Sequence, residues 1–225
     1  MTEYQDTNYI DKIHFKELAQ KAPKEVISRT SCQYNTKTRA YEINILGSEL
    51  RIYPHEMKIE KDKNHENHEN NFHPFLELFA VHYLLSFQNI KITNHLRSDL
   101  RSEQASDLKS DLRSKLISEK DMPGGPTFFR GPHAIPTYLI SDKFGNDPQG
   151  FIKRCSEFKA KPLKLADSSF SIDITPDISV AVLLWLGDQE FPAGARLLFD
   201  KTITEHFALD IIFALAYGLC DYIGK

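Results

Sequence analysis

The sequence predicts an α+β protein in which a mainly antiparallel sheet packs against a buried core helix and a C-terminal helix. Strand-like segments with alternating apolar and polar residues follow one another early in the chain, with no helix between them. One later segment is apolar on nearly all sides of a helix, and the last segment has an apolar helical face. Because strands and helices do not alternate strictly, an antiparallel arrangement is favoured over a parallel one.

Length and composition indicate one globular domain spanning residues 1–225. The chain is 41% hydrophobic and 26% charged, which is typical of soluble proteins. Its 28 basic and 31 acidic residues give a net charge of −3, so no global basic field favours nucleic acid. The N-terminus has no basic segment followed by an apolar one, and the longest apolar runs are too short to cross a bilayer. We therefore expect a cytoplasmic protein with no membrane association.

The first part of the chain predicts one helix followed by an antiparallel meander. Apolar residues at helical spacing predict a helix over residues 8–21, which Pro23 ends. Alternation with period two then predicts short strands at residues 32–34, 41–45, 50–52 and 57–59.

A buried core helix is expected between two exposed segments. Pro74 begins a helix over residues 74–87 whose apolar side chains, Phe79 among them, surround it almost completely. Before it lies a polar loop at residues 60–71. After it comes a low-complexity insertion at residues 96–118, in which Ser-Asp-Leu-(Arg/Lys)-Ser occurs three times. The leucine spacing is compatible with three alternatives for this insertion, which are a marginal helix, a disordered segment and a helix that docks onto another protein.

The histidines of the polar loop are a weak candidate for a metal site. His65, His68 and His73 have spacing that can suit a metal, but a structural site usually needs a fourth ligand and a fixed frame. We expect a solvated loop instead, and a satisfied core histidine at His82.

The second half predicts two helices, three strands and a final helix. Helices are expected over residues 136–144, with Tyr138 facing inward, and over residues 147–158. Strands are expected at residues 170–174, 180–185 and 195–199, the middle one central in its sheet. Thr202-x-x-Glu205 matches a capping box that would start the last helix.

Acidic residues near the last strands are the first candidate site. Asp188 and Glu190 follow the predicted central strand, Asp200 ends the next one, and His206 lies at the start of the last helix. Carboxylates with a histidine can hold a divalent metal or perform acid–base chemistry. The alternative is that Asp188 and Asp200 are turn residues and Glu190 is solvated.

A glycine-rich turn is the second candidate. Gly124 and Gly125, with Arg130 nearby, can cradle an anion, or the glycines can serve a tight crossing of the backbone. Neither nucleotide-binding glycine fingerprint occurs in the sequence.

Several residues are expected to have structural roles only. Trp185, Phe79 and Phe191 are expected in the core. The three cysteines form no C-x-x-C pair, which argues against a zinc ribbon or a self-contained iron–sulfur motif, and they are expected to be buried thiols.

The motif Leu-Trp-x-Gly-Asp-x-Glu-Phe-Pro at residues 184–192, with Leu-Phe-Asp at 198–200, resembles the domain of unknown function 3786 family. Met-Pro-Gly-Gly-Pro at 122–126 and Asp-Pro-x-x-Phe at 147–151 are weaker parts of the resemblance. The resemblance implies an occurrence mainly in anaerobic bacteria and archaea, with some members fused to an iron–sulfur domain like that of corrinoid proteins. It thereby suggests an iron–sulfur or corrinoid protein as a partner.

The sequence leaves three functions in competition. One is a non-catalytic ligand- or protein-binding accessory domain serving anaerobic redox or one-carbon metabolism. The second is a metal-dependent enzyme built on Asp188, Glu190, Asp200 and His206. The third is a scaffold in which the acidic and glycine motifs only shape the fold. Convergence of the four side chains would favour the enzyme, and an open apolar groove near Tyr138, Trp185 and the glycine turn would favour the binding domain.

Overall fold

The computed structural model describes residues 10–61, 72–86 and 115–225. Its helices are α1 (Lys12–Gln20), α2 (Pro23–Arg29), α3 (Pro74–Leu85), α4 (Gly125–Phe128), α5 (Tyr138–Phe144), α6 (Pro148–Glu157), α7 (Ile203–His206) and α8 (Leu209–Gly224). Its strands are β1 (Gln33–Asn35), β2 (Ala40–Ile45), β3 (Ser48–Tyr53), β4 (Lys58–Lys61), β5 (Leu116–Ile117), β6 (Lys161–Pro162), β7 (Ser168–Thr175), β8 (Ile178–Trp185) and β9 (Gly194–Asp200). The predicted α+β class is confirmed. No helix among the described residues combines the length and apolar character needed to span a membrane.

The first sheet is the predicted meander, with the order β1-β2-β3-β4 and antiparallel pairing throughout. Ile43 pairs with Leu50 and both are buried, while Glu42 pairs with the half-buried Arg51 on the other face. This alternation is why a period-two pattern located the strands correctly. β4 extends to Lys61, so the predicted polar loop begins later than residue 60.

The second sheet has the order β5-β9-β8-β7-β6, and all of its pairs are antiparallel. The fold therefore has two sheets where the sequence predicted one. β8 is central, as predicted, and every residue of it except the last is buried. The strand β5 pairs with β9 and was predicted to be part of the exposed insertion. The predicted end of the insertion at residue 118 is wrong, because Leu116 is buried against β8 and β9. The strand β5 that contains it is an edge strand of the second sheet.

Helix α3 is buried as predicted, and the side chain of Phe79 on this helix is fully buried in the core. α3 packs against α8, α1 and β2. α3 and α8 approach closely at Gly218, where a Cβ atom would lie 2.6 Å from Cγ of Leu76. Glycine is required at this position because any side chain would overlap Leu76.

The predicted capping box at Thr202 and Glu205 does not form. The Thr202 hydroxyl donates to Oδ1 of Asp200 at 2.7 Å and makes no bond to the helix. The short α7 ends at the extended Phe207, and α8 begins only after Ala208. The Phe207 ring lies 5.3 Å from that of Phe79, so the break places an aromatic side chain in the core.

A polar network ties helix α3 and the segment after α2 to the second sheet. Asp177, in the β7–β8 turn, accepts hydrogen bonds from the backbone N–H of Ser31 at 2.7 Å and from the Ser31 hydroxyl at 2.7 Å. The Tyr83 hydroxyl of α3 also donates to Asp177. The backbone N–H of Leu46, in the turn between β2 and β3, donates to the carbonyl of Ile174 on β7 at 2.9 Å, which links the two sheets directly. One continuous core cluster contains residues of both sheets.

Several sequence predictions fall outside the described residues. These are the predictions for most of the polar loop, for His65 and His68, and for most of the low-complexity insertion. His73 is described, and its Nδ1 accepts from the backbone N–H of Phe75 at 3.1 Å, which caps the start of α3.

Candidate functional site

The loop of residues 186–193, which joins β8 to β9, holds the first pair of predicted site residues. We call it the hairpin tip. Oδ1 of Asp188 accepts from the backbone N–H groups of Glu190 at 2.8 Å and Phe191 at 2.7 Å. The N–H of Asp188 donates to the carbonyl of Phe191 at 2.9 Å. These bonds close a tight turn, and the bonds from Phe191 and then Glu190 lower the pKa of the Asp188 carboxyl. Asp188 therefore has the turn role that was one of its two predicted alternatives.

The hairpin tip is also held against the rest of the protein. The N–H of Gly187 donates to the carbonyl of Gly145, at the end of α5, at 3.2 Å. A Cβ atom at Gly145 would lie 2.2 Å from Cβ of Ala193, so the two chain segments meet at close range. The tip is consequently anchored at both of its ends.

The second pair of predicted site residues lies at the other end of the β8–β9 hairpin. Trp185 pairs with Gly194, and Val180 pairs with Phe199, which places Asp200 far from the tip. β9 has seven residues, and at about 3.4 Å per residue its ends lie about 20 Å apart. Asp188 and Glu190 therefore do not converge with Asp200 and His206, because the two strands of an antiparallel hairpin run in opposite directions and finish at opposite ends of it. Across the described ranges, no group of three or more histidine, cysteine, aspartate or glutamate side chains is placed to hold a metal ion.

Asp200 and His206 do lie close to each other. Asp200 accepts from the backbone N–H of Thr202 at 3.0 Å and from its hydroxyl, which shapes the turn into α7. Burial lowers the pKa of His206, with the carboxylates of Glu205 and Asp200 opposing that shift. His206 is thus biased toward its neutral form, and Asp200 is the turn residue that was the alternative to a ligand.

Two residues predicted for the core are exposed instead. Trp185 is 37% exposed and Phe191 is 66% exposed. Trp185 ends β8 opposite Gly194, which offers no side chain to cover it, and its ring is contacted by the Arg196 guanidinium at 5.8 Å. Phe191 is held on the outside of the turn by its own backbone bonds to Asp188. The tip therefore presents Phe191 to solvent, and Trp185 is exposed at the end of β8, where the tip begins.

The glycine turn is shaped by a close backbone approach. A Cβ atom at Gly125 would lie 1.9 Å from the carbonyl oxygen of Glu119, and Gly124 has a φ of +77°. Arg130 is exposed two residues beyond the four-residue helix α4. The geometry favours the tight crossing over the anion cradle. Tyr138, predicted to face inward, is 59% exposed at the start of α5.

Sequence reasoning missed the exposure of the hairpin tip, although a signal for it is present. Gly187, Asp188 and Pro192 are turn-forming residues within six positions, and a turn places its side chains outside the sheet.

Comparison with known families assigns the second half of the protein. The model of the family described as Domain of unknown function (DUF3786) matches residues 104–222, more than half of the 225-residue chain. The protein belongs to the DUF3786 family. The matched segment contains the whole second sheet with the hairpin tip, and all of α8 except its last two residues. Comparison with curated proteins gives no match, and comparison with solved structures gives none either.

Proposed function

We propose that this DUF3786 protein is a non-catalytic accessory protein that binds a partner protein through its hairpin tip. The observation that carries the proposal is Phe191, which is 66% exposed on a turn closed by three hydrogen bonds. A large exposed aromatic side chain on a rigid support loses little conformational freedom when it is buried by a partner.

The surroundings of Phe191 have the composition of an interaction surface. Trp185 and Arg196 lie on the adjoining strands, and tryptophan and arginine are enriched among residues that dominate binding energy. The exposed Glu190 adds a charge at the residue that precedes Phe191. An apolar pocket in the partner, with polar groups around its rim, would complement this surface.

An iron–sulfur or corrinoid protein is the partner that the family resemblance suggests. Such a partner would place the protein in anaerobic redox or one-carbon metabolism. The family match shows that the protein belongs to DUF3786. The class of its partner is part of our proposal.

Anaerobic cross-linking in the source organism tests the proposal. A photoreactive phenylalanine analogue replaces Phe191 in the full chain, and a second protein carries it at Ile13, which is 61% exposed on α1 of the other half. We expect a defined cross-linked protein with the probe at 191 and none with the probe at 13. Equal products from both positions, or no product from 191, would overturn the proposal, and the visible spectrum of the captured partner tests its cofactor class.

Substitutions of Asp188 separate the docking role from the metal hypothesis. Asp188→Asn keeps an oxygen that can accept the two backbone bonds, whereas Asp188→Ala removes it. We expect Asp188→Asn to bind the cross-linked partner with unchanged affinity, and both Asp188→Ala and Phe191→Ala to bind at least tenfold more weakly. Loss of binding in Asp188→Asn alone would instead indicate a role for the carboxylate charge.

A further inference from the structure

A pocket of about 150 Å³ lies between the α1–α2 turn and one end of the first sheet. Two cationic side chains, Lys21 and Arg39, line it together with His55 and the tyrosines Tyr34 and Tyr41. The remaining lining comes from apolar residues of α1 and from two prolines. The pocket thus suits a small ligand with both a charged and an apolar part.

Lys21 and Arg39 are the cationic side chains among the described lining residues of this pocket. No carboxylate is among its described lining residues, and Lys21 lies 3.9 Å from Glu17, a long contact at a solvent-exposed carboxylate. The Arg39 guanidinium donates to Nε2 of His55 at 2.7 Å. Because a guanidinium has no acceptor, His55 accepts here through a nitrogen that carries no proton, and the pair keeps the charge of Arg39.

Tyr41 supplies a neutral hydrogen-bond donor beside these cations. The residue is only 2% exposed, and its ring packs against Tyr34 with a centroid distance of 4.8 Å. Burial raises the pKa of its hydroxyl, and the thiol of Cys32 and the carboxylate of Glu25 lie near enough to raise this pKa as well. The hydroxyl therefore keeps its proton and can donate it to a ligand oxygen.

We infer that this pocket binds a small organic carboxylate. The Arg39 and Lys21 cations and the Tyr41 hydroxyl would hold the carboxylate oxygens, since charge-assisted bonds to carboxylates are the strongest that these groups make. The apolar wall would hold a short chain or a single ring, because the pocket is smaller than the several hundred cubic ångströms typical of larger ligands.

This site is separate from the proposed docking surface. Its lining residues lie between positions 18 and 55, outside the segment that matches DUF3786 and on the other sheet from the hairpin tip. Failure of either proposal therefore leaves the other unaffected.

Calorimetric titration of the full chain with four probes tests the inference. Benzoate and butyrate offer a carboxylate on a ring or a chain, benzamide is the neutral analogue of benzoate, and inorganic phosphate is an anion without an apolar body. We expect one or both carboxylates to bind, and benzamide and phosphate to bind at least tenfold more weakly. Failure of both carboxylates at millimolar concentration, or equal binding of benzamide or phosphate, would overturn the inference.

Three variants connect that binding to the pocket. Arg39→Gln removes a cation and Tyr41→Phe removes the hydroxyl, while Lys37→Gln removes an exposed cation from the same turn without changing the lining. We expect tenfold or greater weakening of carboxylate binding in Arg39→Gln, several-fold weakening in Tyr41→Phe and no change in Lys37→Gln. Urea unfolding midpoints confirm that each variant is folded. Equal affinities of Arg39→Gln and Lys37→Gln would contradict the assignment.

Discussion

At the scale of single residues, the surroundings decide what a titratable side chain does. Asp188 serves its own turn, because two backbone N–H groups already occupy one of its oxygens. His82 lies on the buried helix α3 and was expected to be a satisfied core histidine. Its ring is instead half-buried and lies 4.4 Å from that of His14. Burial, followed by the neighbouring His14, lowers the pKa of His82 from 6.5 to about 4, with Asp210 opposing.

This pKa predicts a pH dependence of stability. Between pH 6.5 and about 4, His82 binds a proton in the unfolded chain and not in the folded one. Its contribution to stability is complete above pH 6.5 and is lost as the pH falls toward 4. We expect His82→Gln to reduce the slope of unfolding free energy against pH in this window, measured by urea unfolding. Burial also lowers the pKa values of His73 and His206, so part of the slope of unfolding free energy against pH will remain in the His82→Gln variant.

The region above pH 7 is the internal control for this measurement. There His82 is neutral in both states, so the variant and the parent should show parallel pH profiles. Parallel profiles below pH 6.5 as well would show that the folded protein does not shift the pKa of His82.

At the scale of elements, close packing of α3 against α8 outweighs local helix preference. Gly218 is in the interior of α8, where alanine would favour the helix by about 1 kcal/mol. The approach of Leu76 leaves no room for that methyl group, with Cγ at 2.6 Å and Cδ2 at 3.0 Å from its position. The helix keeps a residue of low propensity because the packing requires it.

A double-mutant cycle tests this balance. We expect Gly218→Ala to destabilise the protein by about 1–3 kcal/mol, as overpacking does. Leu76→Ala should cost about 2–5 kcal/mol by leaving a cavity. The double variant should be less destabilised than the sum, because alanine at 218 then fills space that Leu76 vacated. Urea unfolding measures all three proteins, and strict additivity would disprove the close contact.

At the scale of the whole molecule, one polar network ties the first part of the chain to the second sheet. Tyr83 of α3 and Ser31 after α2 both bond to Asp177 in the second sheet. The Tyr83 pKa is raised by burial and by its bond to Asp177, so the hydroxyl stays protonated and donates. The core cluster continues across the same boundary. We propose that residues 1–225 fold as a single cooperative domain.

Tyr83→Phe tests that cooperativity. Removal of the hydroxyl leaves a buried carboxylate with one donor fewer, which costs about 1–3 kcal/mol. We expect one unfolding transition at a lower urea midpoint, coincident by far-ultraviolet and near-ultraviolet circular dichroism. The control is Tyr53→Phe, whose hydroxyl bonds to Glu60 within the meander and should matter much less. Two separate transitions in Tyr83→Phe would show that the halves unfold independently.

Local sequence patterns alone determined the class, most elements and the family resemblance. Strands β2, β3 and β7 were correctly predicted because hydrophobic periodicity depends only on which face of an element is buried. Strand β8 and helix α3 were correctly predicted because apolar residues cover almost all of each element, as burial on every side requires. The Asp147-Pro148 start of α6 was also readable, since Oδ1 of Asp147 caps the N–H of Gly150, a contact three residues away.

Tertiary structure alone decided which residues meet. Asp188 and Asp200 are twelve positions apart, and only the pairing of β8 with β9 places them at opposite ends of this hairpin. The exposure of Trp185 depends on Gly194 facing it from another strand. The pocket likewise depends on residues of α1 meeting the turns of the first sheet. Periodicity reports the environment along one element, whereas contacts between elements depend on pairing and packing that no single segment encodes.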